Sequence, residues 1–301
     1  MKLATTTGDF FEYTYLQDDA IKYIKKAGFK YIDYSFGFDY RNNSGIFGED
    51  FYKYIDYINR FANEQEIKFI QAHSPMGTPI VKNNNYRPFI DATNKCIEAC
   101  GALGIKNIVV HSGYEGGLTK EQTFERNKEF YYELLPTAEK YGVNILTENF
   151  NKMCIPNLFW IDNAQNMREL IDFVDHPLFH CCWDTGHANM QEMPQHEELK
   201  ILGNDVCALH VQDNFGNNDN HIAPFFGTMN IDSLMHGLAD IGYDGYFTFE
   251  SDCIFCPSYN KRTFKKDSKL LLPPIEIKEK AESMLYDIGK HILTSYDCFE
   301  E

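Results

Sequence analysis

Eight short runs rich in β-branched and aromatic residues recur along the chain, with helix-periodic stretches between them. The runs are KLATTT, YIDYSFGF, KFIQAHS, NIVVHSG, VNILTENF, FHCCWDTG, VCALHVQDN and YFTFESD. Parallel strands need crossover connections, and helical crossovers turn right-handed. Eight such units close economically into a (β/α)8 barrel. An open doubly wound sheet is the rival, but no G-x-G-x-x-G follows the first run. The expected fold is an α/β TIM barrel.

The helical stretches carry their own punctuation. In FYKYIDYINRFA, residues Phe51, Tyr54, Ile55, Ile58, Phe61 and Ala62 follow the spacing of one helix face. DDAIKYIKKAG predicts a helix capped by Asp18 and stopped by Gly28. Pro136 is expected to bend or interrupt the helix of FERNKEFYYELLPTAEKYG. A long irregular stretch follows the eighth run, and a C-terminal helical extension is expected from about Ile275. No linker rich in Pro, Gly or Ser divides the 301 residues, so one domain over 1–301 is expected.

Composition narrows the function classes. No uninterrupted apolar run approaches a membrane span, and the N-terminus lacks the apolar core of a secretory signal. A cytoplasmic location and no membrane partner are the expectations. The nine cysteines show no disulfide framework and read as reduced thiols, and Cys253 and Cys256 form a lone C-x-x-C. A net charge of −16 repels polyanions, so no nucleic-acid partner is expected. Aromatic residues make up 15% of the chain, which leaves a homo-oligomer open, since buried cores use the same residues.

Imidazoles and carboxylates collect where six successive runs end. His73 closes the third run, His111 the fourth, Glu148 the fifth and Asp184 the sixth, with His187 just beyond. His210 lies in the seventh and Glu250 closes the eighth. In a barrel these positions converge on the carboxyl-terminal mouth. Singly, each has a bland reading, such as a capping carboxylate or a histidine bonded to a carbonyl. Jointly, two glutamates and an aspartate at one mouth need a cation to offset their repulsion. Such O and N ligands suit Mn²⁺, Mg²⁺, Co²⁺ or Zn²⁺. A turn at Gly186 is expected to point His187 back toward the mouth. Trp183 and Trp160 are candidates for the pocket wall, with core packing as the competing reading.

Glu148, DTGH, LHVQDN and Glu250 within FTFES, taken in that order, resemble the xylose-isomerase-like barrel superfamily, with its sugar isomerase/epimerase branch most alike. The resemblance covers nearly the whole chain. It implies that Glu148, Asp184, His210 and Glu250 hold one divalent metal, as in ketose 3-epimerases. It further implies that Glu148 and Glu250 exchange protons with the substrate and that His187 contacts a substrate oxygen. His73 and His111 are expected to orient hydroxyls. Removing a proton beside a carbonyl through an enediolate suits a Lewis acid and two carboxylates. The implied activity is isomerisation or epimerisation of a small sugar or sugar phosphate. Two departures stand out: no Arg follows the seventh-run histidine in VQDNFGNNDN, and NKMC (Asn151–Cys154) replaces the NRFE those enzymes tend to carry.

A second branch is also similar. Asp219 and His221 form a D-x-H, and AP endonucleases of the same superfamily bind three zinc ions through nine ligands. The matching positions are His73, His111, Glu148, Asp184, His187, His210, Asp219, His221 and Glu250. That leaves additional metals, and a zinc phosphodiesterase, as an alternative. Charge opposes it, because DNA repair needs Lys or Arg along the phosphates. The one basic cluster, Lys261, Arg262, Lys265, Lys266 and Lys269, reads as a solvated loop or as a grip on a single phosphate. A cyclitol dehydratase and a non-catalytic sugar-binding barrel are the remaining alternatives.

Overall fold

A computed structural model describes residues 1–77, 80–150, 161–191, 193–254 and 273–301. Trp160, Asn151–Cys154, Cys256 and the basic cluster from Lys261 to Lys269 lie outside the described residues.

Eight parallel strands form one sheet: β1 Lys2–Thr6, β2 Tyr31–Ser35, β3 Lys68–His73, β4 Asn107–Val109, β5 Asn144–Glu148, β6 Phe179–Asp184, β7 Val206–His210 and β8 Tyr246–Phe249. Each pairs with its neighbour in sequence, and β1 also pairs with β8. One parallel bridge, Val211 to Phe249, joins the two free edges. There Val211 N–H donates to Thr248 O at 2.8 Å and Glu250 N–H to Val211 O at 3.0 Å. The fold is thus a TIM barrel, as the repeat of eight runs predicts.

Helices alternate with the strands. They are α1 Gln17–Ala27, α2 Phe36–Asn42, α3 Phe51–Glu64, α4 Tyr86–Leu103, α5 Lys120–Tyr132, α6 Leu135–Tyr141, α7 Ala164–Val174, α8 Thr185–Asn189, α9 Gln195–Leu202, α10 Ile231–Asp240 and α11 Ile275–Ser295. Helix α1 stops at Gly28, whose φ of 111° suits only a residue without Cβ. Asp18 is not its cap. Leu16 stands there, and Asp18 lies in the first turn, where its charge complements the helix dipole. Pro136 falls in the first turn of α6, so the chain breaks between α5 and α6 rather than bending. Helix α11 covers β1 and β8. A Cβ on its Gly289 would come within 2.6 Å of Leu3 and 2.8 Å of Phe249. Among the described residues no helix is long and apolar enough to cross a membrane, and the described cysteines are all free.

Strand parity sorts the side chains. Odd-numbered Cys181 and Trp183 of β6 join the large core between barrel and helices, where Trp183 Nε1 donates to Gln195 Oε1 at 3.0 Å. Trp183 therefore belongs to the core and not to the pocket wall. Even-numbered Cys182 joins Val109, Leu146 and Ala208 in a separate small cluster within the ring. Those four stand two residues before His111, Glu148, Asp184 and His210, so a dry layer lies directly beneath the polar one.

Candidate metal centre at the barrel mouth

The parity that buries Cys182 also aims Asp184 inward. Ligand atoms of Glu148, Asp184, His210 and Glu250 all lie within 4.8 Å of one another. So do those of His187, Asp219 and His221, and those of His73, Glu148 and His210. His111 is outside these sets, yet its Nε2 lies 2.8 Å from Glu148 Oε2 and 3.1 Å from His73 Nε2. All nine residues singled out in the sequence thus meet at one mouth.

His210 is held in a defined orientation. Its Nε2 lies 3.1 Å from Asp33 Oδ2, and a carboxylate there accepts the ring N–H. That turns Nδ1 toward the carboxylates, 3.0 Å from Glu148 Oε1 and 3.5 Å from Glu250 Oε2, where it donates when protonated and offers a lone pair to a cation once the proton leaves. Asp33 in turn accepts from Gln71 Nε2 at 2.8 Å, and Thr248 Oγ1 donates to Gln71 Oε1 at 3.2 Å. Sequence reasoning missed Asp33. Its signal was parity, because Asp33 sits mid-strand in β2, two residues before the strand's last residue Ser35 and on the same face. His73 is fixed the same way, donating from Nδ1 to the Ser74 carbonyl at 2.7 Å, so its Nε2 faces His111 and Glu148.

Asp184 has two jobs. Its Oδ1 caps α8, accepting from the His187 N–H at 2.6 Å, while its buried Oδ2 accepts no hydrogen bond. A buried carboxylate oxygen without a partner, on a residue of the cluster, fits a divalent cation, as does the mixed O and N donor set. Gln212, also missed from sequence, ties the two halves together. Its Nε2 donates to Asp184 Oδ1 at 3.3 Å and to Asp219 Oδ1 at 2.8 Å. Asn149 does likewise beneath, donating to the Asp184 carbonyl at 2.9 Å and accepting its N–H at 2.7 Å. Gly186 serves a further purpose. A Cβ there would lie 2.1 Å from Gln212 Cδ, so the glycine makes room for the amide in the first turn of α8, the helix that carries His187 to the mouth.

Electrostatics follow from burial and crowding. Burial pushes Asp184 up to about 7, with Glu148 and Glu250 adding repulsion against the pull of His187. Burial opposes charge on His187, but Asp184 and Asp219 together hold it up at about 10. Glu148 is driven well below the usual carboxylate range, since His210 and His111 outweigh its burial. Asp219 is lowered by His221 and His187 against the same penalty. His187 and the carboxylates around it thus favour each other's charged forms, whereas burial lowers His111.

A family model for the xylose isomerase-like TIM barrel matches residues 21–271. The chain belongs to that family. Among its relatives, an uncharacterized protein of Methanocaldococcus jannaschii is 26% identical over 240 residues, spanning 76% of this chain and 80% of the other. The IOLI protein, solved with a bound zinc atom, matches with a TM-score of 0.76 at 19% identity over 98% of this chain and 99% of that one. D-Psicose 3-epimerase of Clostridium cellulolyticum, solved with D-tagatose, matches with a TM-score of 0.73 at 17% identity over 97% and 99%. At these identities the structural likenesses show the fold, and xylose isomerase-like barrels are the frame in which the cluster must be read.

Proposed function

We propose that this xylose isomerase-like barrel is a divalent-metal-dependent isomerase or epimerase of a small sugar. The observation that carries the reading is the convergence of Glu148, Asp184, His210 and Glu250 within 4.8 Å. These four are the residues to hold the ion, whether Mn²⁺, Mg²⁺, Co²⁺ or Zn²⁺. When bound, it offsets the carboxylates and supplies Lewis-acid polarisation of a substrate carbonyl and its neighbouring hydroxyl.

The chain's own groups divide the remaining work. Glu148, ionised and almost wholly buried, is the base that takes the proton beside the carbonyl. Glu250 leaves a strand three places further round the ring, and its side chain is 24% exposed, so it returns a proton that solvent can replace. His187, held protonated by Asp184 and Asp219, donates to a substrate oxygen where negative charge grows. His73 and His111 orient hydroxyls. Among the described residues lining the cavity, histidines aside, six of the eight formally charged side chains are carboxylates, which favours a free sugar over a sugar phosphate. A dehydratase acting on a cyclitol starts from the same proton removal.

One observation favours a second reading. His187, Asp219 and His221 form a donor set of their own beside the first, as a multinuclear zinc phosphodiesterase requires. Solvent exchange separates the two. Candidate ketoses are incubated in D₂O with Mn²⁺ and examined for deuterium on the carbon next to the carbonyl. Exchange that Glu148→Gln abolishes with the fold intact supports the isomerase. Cleavage of an abasic-site duplex without exchange of any sugar establishes the phosphodiesterase instead.

A further inference from the structure

The cavity at the mouth has a volume of about 1040 Å³, at the upper end for pockets that hold drug-sized ligands. The cluster lines part of it. Another part is lined by the turn after β1 and by the first turns of α11, through Asp9, Phe11, Lys278 and Ala281. A sugar whose reacting carbons lie at the cluster leaves that second part for something more.

Among the described residues the charge there does not balance. Asp9, Glu282 and Lys278 are 4%, 0% and 6% exposed, so two carboxylates share one ammonium away from water. Lys278 Nζ is already engaged, 3.3 Å from Glu282 Oε2, 3.3 Å from the Asp252 carbonyl, and over the Phe10 ring at 5.3 Å. Thr5 Oγ1 lies 2.8 Å from Glu282 Oε1 and 3.2 Å from Asp9 Oδ2, but a hydroxyl has one proton and serves one of them at a time. Asp9 Oδ1 is buried and accepts no hydrogen bond. Keeping a surplus carboxylate in such a place costs stability unless something neutralises it. Burial, followed by Glu282, pushes the acidity of Asp9 well down, and Glu250 and Asp252 add to the repulsion while Lys278 opposes it. Asp9 and Glu250 line the same cavity, so one ligand can meet both.

We propose that Asp9, backed by Glu282 and Lys278, anchors a positively charged nitrogen on the substrate, so that the sugar carries an amino substituent away from its reacting carbons. This rests on the isomerase reading of the same cavity. Rotation about the soft Cβ–Cγ bond of Asp9 presents an oxygen to the ligand. With the cavity empty, a proton on Asp9 takes the place of the cation, and the arriving ammonium displaces it.

Unreactive probes test the anchor apart from the chemistry. Binding of 1-amino-1-deoxy-D-glucitol, D-glucitol and D-glucitol 6-phosphate to the full Mn²⁺-loaded chain is measured by calorimetry in two buffers of different ionisation enthalpy. The amine is expected to bind about tenfold tighter than glucitol and to release a proton that glucitol does not. Asp9→Asn, or Asp9→Ser should the amide disturb folding, removes both differences and leaves glucitol within about twofold of wild type. Equal or undetectable binding of amine and glucitol overturns the proposal, as does a preference that survives in both variants or tightest binding of the phosphate. Because the probes do not react, amine preference without deuterium exchange in any ketose sinks the isomerase reading alone. Exchange without amine preference sinks only the anchor.

Discussion

Gly186→Ala tests whether the mouth is assembled around Gln212. In an unencumbered helix, alanine in place of glycine gains about 1 kcal/mol. At this position the added Cβ would sit 2.1 Å from both Cδ and Oε1 of Gln212, and Gln212 is wholly buried. Overpacking of that kind costs about 1–3 kcal/mol. Moving the amide also strips a donor from Asp184 and Asp219, each otherwise a crowded carboxylate, at about 1–3 kcal/mol more. Setting the propensity gain against the two losses leaves a net destabilisation of about 1–5 kcal/mol. Urea unfolding followed by circular dichroism reads the loss, and Mn²⁺ or Zn²⁺ titration reads weakened ion binding. Gly186→Ala/Gln212→Ser restores the space, so its stability recovers toward that of Gln212→Ser while ion binding stays weak. Gly186→Ala with wild-type stability and wild-type ion affinity would refute the close-approach reasoning.

Two further expectations follow from groups outside the four proposed ligands. Asp33→Asn can offer an N–H to His210 Nε2, favouring the tautomer that protonates Nδ1. Metal affinity is expected to fall about 10–100-fold with the circular dichroism spectrum unchanged, and an unaltered titration would show that Asp33 does not set the tautomer. Asp39, buried in α2 and bonded to Tyr34 and Gln17, is pushed by burial to about 7 from an ordinary 3.8. Its folded form keeps a proton that the unfolded chain has released, so its stability contribution is complete below about pH 4 and lost as pH rises to about 7. The loss is up to about 4 kcal/mol. Glu198 is also raised to about 7 and adds the same sign, so the readout is the difference between wild type and Asp39→Asn. Parallel stability curves for the two over pH 4–8 would count against it.

The strand count is legible in the sequence because a parallel barrel strand is covered on both faces and must be apolar nearly throughout. Stretches such as NIVV and NILT have few other uses. The glycine stop is legible for a similar reason: Gly28 adopts a backbone conformation that other residues resist. Asp18 misleads because an acidic residue suits both the cap and the first turn, and local sequence does not separate the two. Asp33, Asn149 and Gln212 are hidden by a different cause. Each acts through a partner 35 or more residues away, or across the seam between two loops, and their residue types are ordinary within strands and just beyond them. Trp183 was decidable, since an inward Asp184 forces its neighbour outward.

The layer beneath the cluster explains why His210 is the pivot. Under His111, Glu148, Asp184 and His210 the ring is floored by Val109, Leu146, Cys182 and Ala208, which offer no donor strong enough to hold a carboxylate. Carboxylates above an apolar floor feel each other strongly, and so would a cation placed among them. The other part of the interior is polar, with Asp33, Gln71 and Thr248 linked in a chain of hydrogen bonds. His210 stands at the boundary. One nitrogen is tethered to the polar part through Asp33, and the other is turned toward Glu148 and Glu250 over the dry part. A polar floor on both sides would weaken the field at the cluster, and an apolar floor on both would leave the imidazole free to turn. The divided interior avoids both, which ties a choice of small and branched residues deep in β4–β7 to the orientation of a side chain at the mouth.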